Sequence, residues 1–92
     1  NLAKQAREVI AKPPYTIDIL QNAKSKFVQA SDSLKNISEE TYASLKASSL
    51  LKIYSSNAEE LQRRIDGIQL CQSLAMENCF EAETPLNLER SE

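Results

Sequence analysis

The side chains able to do covalent or acid–base chemistry are few in this chain, and their spacing limits them further. There is no histidine. That removes imidazole as a general base, as a metal ligand and as the activator of a serine or cysteine nucleophile. Two cysteines cannot make a four-cysteine zinc site, and no histidine can complete a mixed one. One glycine cannot build a glycine-rich phosphate loop. Glu39 and Glu40 are neighbours in sequence and so point to different sides of a helix. They suit the positive end of a helix dipole better than paired acid–base work. Lys24 and Lys26 flank Ser25 and offer at most a weak anion contact, while Arg63 and Arg64 stand among Glu59, Glu60 and Asp66 as a balanced, solvated face. The chain therefore reads as non-enzymatic, with no cofactor and no metal. A net charge of -2 is also the wrong footprint for a nucleic-acid binder.

The cysteines carry the one possible covalent bond. Cys71 and Cys79 fall in what reads as a single helix. Eight residues at ~1.5 Å each separate them by about 12 Å along the axis, whereas a disulfide needs Cα atoms within ~7 Å. They are expected as reduced core thiols of an intracellular protein, cytoplasmic in preference to nuclear, unless the helix ends between them. The alternative is a secreted domain with the two oxidised. Asn36-Ile37-Ser38 matches the N-glycosylation pattern and nominally supports that alternative, although Ser38 serves better as a helix cap.

Helices must position whatever these residues do. At 92 residues there is room for one domain, and the composition, rich in Ala, Leu, Lys, Glu and Gln, favours helix throughout. No apolar run approaches the ~20 residues a membrane-spanning helix needs. Leu2, Ala6, Val9 and Ile10 form a short first helix over residues 2–12, which Pro13-Pro14 stops. Thr16 is placed to cap a second helix, with Asp18 in its first turn and Ile17, Leu20, Ala23, Phe27, Ala30 or Ser31, and Leu34 along one stripe to about residue 35. A third helix begins after Ser38, with Tyr42, Leu45, Leu50, Ile53 and Tyr54 on a wide apolar arc.

Ser55-Ser56-Asn57 divides two readings. Three residues whose side chains compete for the backbone predict a turn, and Ser56 with Glu59, or Asn57 with Glu60, fits a capping box. That gives an all-α, antiparallel up-down bundle of three main helices, 17–35, 39–55 and 58–80, plus the short N-terminal one. The alternative is one long coiled-coil helix over 39–80 with residues 1–35 folded back on it. Its support is a heptad stripe that crosses residues 55–57 unbroken: Ala47, Leu51, Tyr54, Ala58, Leu61, Ile65, Ile68, Gln72, Ala75 and Cys79. Gly67 inside the last helix is either a tolerated defect or the mark of a close crossing.

The bundle domain is expected to span residues 1–80. Residues 81–92 read as a short, acidic, flexible tail, in which Thr84-Pro85-Leu86-Asn87-Leu88 looks like a short linear motif. Pro13-Pro14-Tyr15 lacks the further residues of a proline-rich ligand and is read as a helix breaker, with Tyr15 packing on the bundle end.

With catalysis excluded, the stripe and the apolar residues beside it define the function class. The expectation is a helical protein–protein interaction module of a larger scaffold, adaptor or assembly, binding a partner helix or a second copy of itself. Its candidate contact residues are Leu51, Tyr54, Leu61, Ile65, Ile68, Leu70, Gln72 and Leu74. A secreted helical domain binding a ligand or receptor is the alternative.

Overall fold

Thr16 begins the first long helix as its residue type requires. Its backbone is extended, and its hydroxyl accepts the Ile19 amide at 3.2 Å, satisfying one of the donors that a helix start leaves open. The computed structural model describes residues 2–35, 42–75 and 79–89. Over these the chain is all-α, with helices α1 (Leu2–Val9), α2 (Ile17–Leu34), α3 (Tyr42–Ser73) and α4 (Phe80–Glu83). The expected cap at Ser38 and the acidic first turn at Glu39 and Glu40 lie outside the described residues.

The α2 stripe packs as its spacing predicts, with Leu20, Ala23, Phe27, Ala30 and Ser31 all buried. It faces α3. Lys24 Nζ donates to Gln62 Oε1, and the Phe27 and Tyr54 rings lie 6.0 Å apart, tilted by 39°. Contacts that advance along α2 while retreating along α3 make the two helices antiparallel. α1 packs on α2, its first residues Leu2 and Ala3 lying beside Ala30 and Leu34, so it too runs antiparallel to α2. Phe27, Leu20, Leu61 and Ile65 fill the centre. Each such burial is worth about 1.5–3 kcal/mol in transfer terms.

The turn predicted at residues 55–57 is absent, because α3 runs through it without interruption. Ser55 and Ser56 are exposed, where a serine in a helix costs only about 0.5 kcal/mol relative to alanine. The stripe around them gains far more. Ala47, Tyr54, Ala58, Leu61, Ile65, Ile68 and Cys71 are all buried, so breaking the helix would sacrifice the register of both halves. The fold thus has one helix of about 48 Å at 1.5 Å per residue, in a molecule measuring 52 × 21 × 16 Å.

α3 stops short of residue 80, and its stop changes the chemistry of the cysteines. The Leu74 amide bonds to the Leu70 carbonyl at 3.1 Å, the Ala75 amide bonds to that of Gln72 at 3.0 Å, and Ala75 adopts a left-handed φ of 55°. A left-handed residue after the last turn is a standard helix terminator, usually a glycine. With the helix ended, Cys71 and Cys79 come within 5.8 Å between Cα atoms and form a disulfide. The expectation of two reduced thiols is corrected accordingly. Its 12 Å separation holds only for an unbroken helix, and nothing in the sequence marks Ala75 as the break.

Beyond Cys79 the chain turns back along the molecule. α4 packs on α3, and Leu86 and Leu88 pack against the core. The segment read as a flexible tail therefore has fixed partners through residue 89.

Candidate functional site

Three side chains from two parts of the chain grip the returning segment. Tyr15 follows the cis Pro13–Pro14 bond and is only 3% exposed. Its hydroxyl donates to the Ile10 carbonyl at 3.2 Å and accepts the Leu86 amide at 3.1 Å, while its own amide donates to the Ala82 carbonyl at 2.6 Å. Arg64 lies over the Tyr15 ring at 5.9 Å, and its Nη1 donates to the carbonyls of Glu81 at 2.6 Å and Thr84 at 2.5 Å. A guanidinium bonded to carbonyls makes charge-assisted hydrogen bonds, stronger than neutral ones. Arg64 is thus not part of a balanced solvated face. Only Arg63 behaves so, paired with Glu60 at an exposed i,i+3 spacing that contributes little.

Asn57 completes the grip. It is 1% exposed in the middle of α3, and its side-chain amide meets the Glu89 backbone twice. Nδ2 donates to the Glu89 carbonyl at 2.9 Å, and Oδ1 accepts the Glu89 amide at 2.9 Å. An asparagine side chain has the donor–acceptor pair of a peptide unit, so α3 presents a one-residue strand edge to an extended chain. Sequence reading treated Asn57 as a turn signal. The feature that could have revealed it is a polar residue set against Tyr54, Ala58 and Leu61, whose neighbours require burial.

The close approach at Gly67 belongs to the same site. A Cβ built there would lie 3.0 Å from Glu81 Cγ, so the glycine makes room for the base of the returning segment. Beside the segment, a cavity of about 160 Å³ remains, lined by Arg7, Ile10, Ala11, Leu86, Asn87 and Leu88.

The residues expected to meet a partner divide into two groups. Tyr54, Leu61, Ile65 and Ile68 are buried in the chain's own core. They are not a surface, because α2 and the returning segment already cover them. Leu51 is half-buried, and Leu70, Gln72 and Leu74 are exposed. Leu70 and Leu74, one turn apart, are 61% and 63% exposed, and Phe80, next to the disulfide, is 76% exposed. Phe80 was not singled out from the sequence, while Leu45, expected on the apolar arc of the third helix, is instead 70% exposed near the start of α3. These apolar residues differ from the groove in kind. Leu70, Leu74 and Phe80 belong to the disulfide end of the molecule, and the groove lies on α3 further from that end.

Among the described residues, no group of three His, Cys, Asp or Glu side chains is placed to hold a metal ion. No helix there is long and apolar enough to cross a membrane. No protein-family model matches the chain, and neither a curated protein nor a solved structure matches it.

Proposed function

We propose that this chain is a non-enzymatic, helical protein–protein interaction domain whose contact surface is the apolar end around the disulfide. The observation that carries the reading is the exposure of Leu70, Leu74 and Phe80, each above 60%, at one end of a molecule that otherwise buries its stripe internally. Large apolar side chains gathered at one end favour a partner. Covering three of them yields about 5–9 kcal/mol of gross transfer energy. Association costs about 4–15 kcal/mol, so the contact needs polar neighbours as well. Gln72 and Ser73, both exposed beside these leucines, supply them. Self-association is the accessible test. Sedimentation velocity from micromolar to millimolar concentration should show mass rising with concentration, and Leu70→Glu with Leu74→Glu should abolish the rise. A monomer throughout, with unshifted resonances for Leu70, Leu74 and Phe80, counts against self-association through this surface.

The disulfide favours a second reading of where the domain works. Disulfides persist in oxidising compartments and are rare in the cytosol. The Cys71–Cys79 bond therefore supports a secreted helical binding domain over an intracellular scaffold component. Thiol titration of material isolated without reductant tests this directly. Two free thiols would return the domain to a reducing compartment.

A further inference from the structure

We infer that the groove formed by Tyr15, Asn57 and Arg64 is a peptide-binding site, filled in cis by residues 84–89. The partner it fits is an extended segment of another protein that carries apolar residues two positions apart. This goes beyond the apolar end and stands independently of it, since Leu70, Leu74 and Phe80 make none of the contacts concerned.

Three observations carry the inference. First, the groove holds the segment by its backbone. Arg64 takes the Thr84 carbonyl, the Tyr15 hydroxyl takes the Leu86 amide, and Asn57 takes both the amide and the carbonyl of Glu89. Any extended chain offers the same groups, as in strand-addition recognition, where backbone bonds give affinity and alternate side chains give specificity. Second, those alternate side chains have sites. Leu86 and Leu88 are half-buried between exposed Pro85, Asn87 and Glu89, and both pack against the core. Third, the fit is incomplete. An open cleft of about 160 Å³ remains against Leu86 and Leu88, bounded by Arg7, Ile10, Ala11 and Asn87 and more polar than apolar in its lining. A ligand with a side chain longer than leucine and ending in a polar group at one anchor would fill space the chain's own segment leaves open.

The segment also has the advantage of attachment. The Cys71–Cys79 bond and the Tyr15–Ala82 contact fix its base on the bundle. A tethered ligand acts at an effective concentration on the order of millimolar. A free peptide must exceed that, so the unaltered chain should bind one weakly, and a chain whose own anchors are disabled should bind it well.

The test uses the full chain with its disulfide intact and a fluorescent peptide spanning residues 82–89. Leu86→Glu with Leu88→Glu should release the segment and tighten peptide binding by at least about tenfold over the unaltered chain. Adding Asn57→Ala to that variant should weaken binding again by about tenfold. A double variant with unchanged helicity that fails to bind the peptide at about 1 mM overturns the inference, as does binding indifferent to Asn57. Should the double variant unfold, the unaltered chain is titrated instead with the peptide carrying Leu88→Tyr. The Asn57 side-chain amide resonances should then shift, and their constancy at millimolar peptide would equally overturn it.

Discussion

Replacing Asn57 with alanine isolates one contact and separates two accounts of the middle of α3. If residues 55–57 were merely weak helix, Asn57→Ala would stabilise the chain, since alanine is favoured over asparagine by about 0.5–0.7 kcal/mol in a helix interior. The structure gives the opposite sign. The side chain is 1% exposed and makes two hydrogen bonds of 2.9 Å to the Glu89 backbone. Each is worth about 0.5–1.5 kcal/mol net, and the truncation also leaves a small void, so the gross loss is about 1–3 kcal/mol. Subtracting the helix gain leaves a net destabilisation of about 0.3–2.5 kcal/mol. The loss is bounded above, because residues 84–89 can lift away and return the Glu89 groups to water. Two measurements are therefore needed. Urea denaturation should show the loss of stability. Amide hydrogen exchange should show faster exchange at Leu86 and Glu89, with Leu61 and Ile65 in the core affected only as far as global stability falls. Asn57→Asp should cost more, because the ionised carboxylate accepts the Glu89 amide but faces the Glu89 carbonyl without a proton to give. An Asn57→Ala chain as stable as the unaltered one, with unchanged exchange at Glu89, would refute the clamp.

Other perturbations address the remaining joints. Replacing Cys71 and Cys79 with serine should lower stability by about 2.5 kcal/mol on the chain-entropy estimate for a loop of this size, read as a fall of about 10–20 °C in Tm. Ala75→Gly should stabilise by about 1 kcal/mol, because it relieves a left-handed alanine; no change in denaturation midpoint would contradict that backbone conformation. Gly67→Ala should gain up to about 1 kcal/mol of helix propensity, since the Glu81 stem at 3.0 Å is flexible and can move aside. A clear loss of stability would mean that the stem is fixed. Tyr15→Phe removes a hydroxyl that serves both the Ile10 carbonyl and the Leu86 amide. It should cost about 1–3 kcal/mol, measurable by thermal unfolding.

Features that depend on near neighbours were legible in the sequence. Thr16 capped the second helix, and the stripe from Ile17 to Leu34 is the face α2 buries, whereas the first helix ends at Val9 and not at residue 12, where Pro13-Pro14 would have stopped it. Features that depend on distant partners were not. Ser55-Ser56-Asn57 obeys the local rules for a turn, yet Asn57 is satisfied by Glu89, 32 residues away. Its fate could not be read without knowing that the chain returns. That return hinges on Ala75, an alanine in a conformation usually given to glycine, so the signal that would have brought the cysteines together was missing. The same gap explains the contact residues. Tyr54, Leu61, Ile65 and Ile68 were recognisable as a stripe needing cover, but spacing alone cannot say whether the cover comes from another molecule or from α2.

The backbone grip on residues 84–89 has a consequence for which changes in this sequence the fold can absorb over generations. Hydrogen bonds to the Thr84 carbonyl and to both backbone groups of Glu89 take no account of the side chains at those positions. Glu89 is therefore open to drift, and the Thr84 side chain is held only by its hydroxyl, which donates to the Phe80 carbonyl at 2.8 Å. Proline is barred at 86 and 89, where it would remove the amide that Tyr15 or Asn57 receives. The constraint falls instead on Tyr15, Asn57 and Arg64, each of which must keep one shape and one pattern of donors and acceptors. Inherited variation in this region should accumulate at the outward positions of the strap and spare Leu86, Leu88 and the residues that hold the backbone.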